Sequence, residues 1–110
     1  MTKVNELSES ETERLAVTLE ECGEAIHMIG KTLRHGFYST HPDYGGITNR
    51  ENLTKELGDV QAAIEILIAA GDVVQGDVHM AKVSKLERLQ QFFHTYENRN
   101  IAIKLANDYV

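Results

Sequence analysis

Tryptophan is absent from the 110 residues, proline occurs once (Pro42) and cysteine once (Cys22). A single thiol excludes an intramolecular disulfide and a cysteine-rich zinc site. No apolar run approaches the ~20 residues needed to cross a bilayer, so no membrane partner is expected. Positive charge is scarce: 11 Lys and Arg face 17 Asp and Glu, a formal charge of −6. The chain therefore lacks the surplus of cations that releases counterions from a phosphate backbone, and no nucleic-acid polymer is expected as a partner. The amino-terminal MTKVNELSESE is polar and acidic, without the basic-then-apolar order of a secretory leader, so a soluble cytoplasmic protein is the expectation. His27, His35, His41, His79 and His94 fall into no H-x-x-x-H or Cys/His spacing, which leaves zinc without a ligand set. Gly45 and Gly46 are not followed by Lys-Ser/Thr, so they form no phosphate-binding loop.

What remains is an ordinary globular mixture, 42% hydrophobic and 25% charged, of a length that suits one domain over 1–110. Leu15, Leu19, Cys22, Ile26, Ile29 and Leu33 step by fours and threes and draw one apolar stripe along a helix from about Ser10 to Arg34. Ser8 or Ser10 caps its start, and Gly36 is its stop. Residues 36–47 read as a loop, since Pro42, Gly45 and Gly46 forbid helix there. Thr48 and Glu51 have the spacing of a capping box. The helix they open carries Leu53, Leu57, Val60, Ile64 and Leu67 and ends near Gly71. A third helix is expected from Asp77 to about Tyr96, with a break at Asn98–Asn100. The tail IAIKLANDYV reads equally as a short helix or an extended arm. Nothing suggests a sheet. The expected class is all-α: a helical bundle of three main helices plus a short C-terminal segment. Apolar character on more than one face of each helix implies that a second copy covers part of it, as a homodimer or homotetramer.

A second face on each of the first two helices carries the chemistry. Glu21 and Glu24 are three residues apart and share a face with Val17 and Met28; Glu56 and Asp59 repeat the spacing beside Ala63, Ile66 and Ala70. Acidic pairs at this spacing also occur on solvated helix faces, because Glu is a good helix former. A carboxylate turned toward a partner helix, in contrast, pays desolvation unless a cation or hydrogen bonds compensate it. A hard divalent cation satisfies four such groups and binds through carboxylates and substrate phosphates.

LEECGEAI (19–26) followed by ENLTKELGDVQAAI (51–64) resembles the MazG-like all-α nucleoside triphosphate pyrophosphohydrolases. Their signature is E-x-x-E on one helix and E-x-x-D on the next, here Glu21-x-x-Glu24 and Glu56-x-x-Asp59, with Gly58 before the aspartate. The likeness spans roughly residues 12–95 and is greatest to the short single-domain members of phage and bacterial genomes. It implies that Glu21, Glu24, Glu56 and Asp59 are ligands of Mg²⁺, with Mn²⁺ as the alternative ion. It also implies hydrolysis of a (deoxy)nucleoside triphosphate to the monophosphate and pyrophosphate in nucleotide-pool house-cleaning, and a bundle completed by homo-oligomerisation. The interval between the motifs, 31 residues from Ala25 to Lys55, is long for the family. Glu24 is the candidate general base. Lys82 and Lys85, beside Val78 and Leu89 on the third helix, are the candidate substrate-binding cations, with Lys31 and Arg34 behind them. Phe37, Tyr38 and Tyr44 either stack on a base or cap the bundle end. Two other readings are a non-catalytic helical assembly module and a related pyrophosphohydrolase for phosphoribosyl-ATP or dCTP.

Overall fold

The computed structural model describes residues 5–40 and 45–109. The order is α1 (Glu9–His35), α2 (Asn49–Ala69), α3 (Gln75–Phe92) and α4 (Tyr96–Asp108), with no strand among the described residues. The all-α expectation holds. The chain divides into two compact units, residues 1–72 and 73–110.

In the first unit α1 packs on α2. Ser8 starts α1 with a reciprocal capping box: its hydroxyl accepts from the Glu11 N–H at 3.0 Å and its own N–H donates to Glu11 Oε1 at 2.8 Å. Gly36 ends the helix with φ 86°, a left-handed value that glycine adopts without strain. Thr48 and Glu51 repeat the box at the start of α2, at 3.1 and 3.3 Å, and Gly71 (φ 84°) follows its end. The described parts of the connection close on themselves. Thr40 pairs with Thr48 in an isolated antiparallel bridge, and the Arg50 N–H donates to the Phe37 carbonyl at 2.9 Å. At the other end of the pair, Arg14 near the start of α1 grips Asp72, just past α2, with two hydrogen bonds of 2.6 and 2.9 Å. Contacts at both ends make α1 and α2 an antiparallel hairpin.

The hairpin buries Ala25 and Met28 of α1 and Ala63 and Leu67 of α2. The long apolar stripe of α1 is exposed in the single chain, Leu19 by 76% and Leu33 by 83%. The second face, which carries the acids, lies against α2. The reason is size: Ala25 and Ala63 allow close backbone approach, whereas a row of leucines and isoleucines would hold the helices apart.

In the second unit α3 packs on α4. The ring of His79, early in α3, meets Tyr109, just past α4, edge-on at 5.2 Å, which makes this pair antiparallel too. α4 buries Ala102 and Ala106. The expected break at Asn98–Asn100 is wrong. The chain leaves helix at Phe93 (φ −71°, ψ 133°), and Thr95 caps α4 by accepting from the Asn98 N–H at 3.3 Å. Arg99 secures the corner by donating to the Phe93 carbonyl at 2.7 Å. Tyr96 therefore begins α4 instead of ending α3, and most of the C-terminal tail is helix.

Candidate metal centre

The antiparallel pairing of α1 and α2 decides where the acids lie. Glu21 and Glu24 stand one turn N-terminal to the buried Ala25 and Met28, and Asp59 stands one turn and Glu56 two turns N-terminal to Ala63. Both pairs enter the same stretch of the seam. Each of the four offers a carboxylate oxygen, and those oxygens all lie within 4.8 Å of one another. Glu21, Glu56 and Asp59 are half-buried and Glu24 is exposed.

Four negative groups at that separation disfavour one another's charge. A hydrogen bond shared with Glu56, together with the charges of Glu21 and Glu56, holds the Glu24 carboxyl above its usual range. Lys55 answers part of the excess. Its ammonium donates to Asp59 Oδ2 at 2.7 Å and stands 3.5 Å from Glu56 Oε1, and the bond to Asp59 raises its own affinity for the proton. Two atoms remain unanswered: Glu21 Oε2 and Glu56 Oε2 are buried and have no hydrogen-bond partner. Buried polar atoms are rarely left unpaired. Two orphaned carboxylate oxygens at the centre of a cluster of hard oxygen donors are what a divalent cation satisfies, so the residues fit Mg²⁺ or Mn²⁺.

Residues 9–91 match the family described as the MazG nucleotide pyrophosphohydrolase domain. The chain belongs to that family. The match crosses both E-x-x-E and E-x-x-D and continues into α3. Nucleotide pyrophosphohydrolysis is thus the family's chemistry, and the acidic cluster of this MazG domain is compatible with a divalent metal. No curated protein and no solved structure matches the chain.

The structure gathers Glu21, Glu24, Glu56 and Asp59. Lys82 and Lys85 lie on exposed positions of α3, in the second unit, and the Lys82 ammonium sits 4.2 Å above the Tyr109 ring. Phe37 and Tyr38 are exposed, and the Tyr38 hydroxyl accepts from Arg50 Nη1 at 3.1 Å; Tyr44 and His41 lie outside the described residues. Cys22 is half-buried on the α1 stripe. Sequence reasoning passed over Lys55, although its place four residues before Asp59 is the spacing of a helical ion pair. It also passed over His27 and Asn52, which with Glu24, Lys31 and Glu56 line a cleft of about 410 Å³ beside the carboxylates.

Proposed function

We propose that the protein is a Mg²⁺-dependent pyrophosphohydrolase. It hydrolyses (deoxy)nucleoside triphosphates to the monophosphate and pyrophosphate in the house-cleaning of nucleotide pools. One observation carries the reading: in a chain of the MazG family, four carboxylates from two helices converge, and two of their buried oxygens have no partner. Glu21, Glu24, Glu56 and Asp59 hold the cation, which when bound neutralises phosphate charge and lowers the pKa of a coordinated water.

The chain's own groups do the rest. Water adds across the α–β anhydride, pyrophosphate leaves with the bridging oxygen, and the proton released by the water passes to a carboxylate. Glu24 is the acceptor: it is the exposed member of the cluster and lines the cleft beside it. Lys82 and Lys85 of α3 remain the proposed substrate-binding cations. The family match runs through both units, which supports one functional domain over 1–110. The exposed stripe of α1 supports a homodimer or homotetramer in which a second copy covers Leu15, Leu19 and Leu33. A purely assembling module has no use for like charges set in the seam of its hairpin.

The test is a panel of nucleotides that includes dCTP and phosphoribosyl-ATP, with and without Mg²⁺, scored for both pyrophosphate and orthophosphate. Metal-dependent pyrophosphate release is expected. Orthophosphate release alone, or no turnover of any nucleotide, would overturn the assignment.

A further inference from the structure

A polar cleft adjoins the acidic cluster, and a second polar cleft shares Lys31 with it. The 410 Å³ cleft beside the cluster has Glu24 and Glu56 at one side and His27, Lys31 and Asn52 at the other. A second cleft of about 250 Å³ is lined by Lys31, His35, Ser39, Thr40 and Asn49. Lys31 lines both. Along one side of α1 the order is Glu20, Glu24, His27, Lys31, His35, so the lining changes from acidic to basic and imidazole within four turns. Because α2 runs antiparallel, Asn52 and Asn49, which precede Glu56, fall at the same end of the hairpin as Lys31 and His35.

A lining with this polarity suits a ligand that is itself polar along its length. Carboxylates bridged to phosphate by a cation need no further positive charge. The next stretch of a polyphosphate has no such bridge and needs an ammonium or an N–H donor. Lys31 lies seven residues past Glu24, roughly 10 Å along the axis. Beyond it the second cleft is lined by the imidazole of His35, the hydroxyls of Ser39 and Thr40 and the amide of Asn49, groups that can donate to the outer phosphate oxygens.

Building on the pyrophosphohydrolase reading, we infer that Lys31 is a substrate-binding residue. It grips the β- and γ-phosphates, the pyrophosphate to be released, of a nucleoside triphosphate whose α-phosphate lies at the carboxylates. His27 and Asn52 flank the phosphates.

The experiment separates metal binding from nucleotide binding. Mn²⁺ titration without nucleotide, read by electron paramagnetic resonance, is compared with equilibrium dialysis of α,β-methylene deoxynucleoside triphosphates in Mg²⁺. Wild type, Lys31→Met and Lys31→Arg are measured, with Ser39→Ala and circular dichroism as a check of folding. Mn²⁺ affinity is expected to be unchanged in every variant. Lys31→Met should weaken the analogues by about tenfold or more, the worth of a charge-assisted hydrogen bond, and Lys31→Arg should restore most of the loss. Ser39→Ala should weaken the analogues of all four bases alike. Analogue affinity in Lys31→Met within about twofold of wild type, well short of the loss expected for a charged hydrogen bond, overturns the inference. So does equal loss in Lys31→Arg with Mn²⁺ binding intact. If wild type binds no Mn²⁺, the pyrophosphohydrolase reading fails first and this one with it. If Lys31→Met does not fold, His27→Gln replaces it with the same expectation and the same overturning result.

Discussion

Both hairpins bury alanines, Ala25 and Ala63 in the first and Ala102 and Ala106 in the second, but among the described residues the carboxylate cluster belongs to the first alone. The second hairpin is held by ordinary means: apolar burial, the Tyr109 ring over Lys82 and against His79, and a Thr95 cap. The first accepts four like charges in its seam and leaves two of their oxygens without partners. Such an arrangement costs stability in the absence of a cation. A feature that weakens the fold where an apolar residue would strengthen it marks the place where the fold serves something other than itself.

The largest expected effect is at Glu56. Glu56→Gln should lower pyrophosphate release by more than about a hundredfold, since even outer-shell partners of metal ligands are worth about 10–100-fold. The same substitution should raise the melting temperature of the metal-free protein by a few degrees, because it removes a repelling charge. A fall in both quantities would break the contrast between the hairpins.

Next come the alanines. Ala63→Leu and Ala102→Leu should each cost about 1–3 kcal/mol by overpacking, measured by urea unfolding. Mn²⁺ affinity should fall in Ala63→Leu, which wedges the carboxylates apart, and stay unchanged in Ala102→Leu. Equal loss of affinity in both would show that the second hairpin also shapes the metal centre.

Helix starts give a smaller difference. α1 and α2 open with complete capping boxes, whereas Val74 gives α3 no side-chain cap. Thr48→Ala should cost about 1 kcal/mol and Val74→Ser should gain somewhat less, both read from chemical denaturation. The smallest effect is at Asp72. Its hydrogen bonds from Arg14 hold the carboxyl below the ordinary aspartate value of 3.8. A depressed value means that the native state favours the charged form. The stabilisation is complete above pH 3.8 and is lost as pH falls through the lower native value. Asp72→Asn should lower the melting temperature slightly at pH 6 and flatten its decline below pH 4.

Helix existence was legible because it rests on local signals: stepping apolar residues, the Ser8 and Thr48 boxes, and Gly36. The four acids were legible for the same reason, since residues three apart share a face whatever the fold. Which face of α1 turns inward was not. A stripe of Leu15, Leu19 and Leu33 is the stronger hydrophobic signal, and choosing Ala25 and Met28 over it requires knowing that Ala63 waits on α2 to let the backbones approach. The end of α3 was misplaced because the break is made by the Thr95 side chain and by Arg99 reaching back to Phe93, and neither leaves a mark in hydrophobic periodicity. The clefts along α1 arise from the antiparallel return of α2, a long-range pairing that sequence spacing does not carry.

Lys55 has one consequence of its own. Tethered one turn before Asp59, it is a counter-ion the protein never has to collect from solution. A divalent ion bound there would have to displace that amine from the Asp59 carboxylate, so it would enter by exchange as much as by addition.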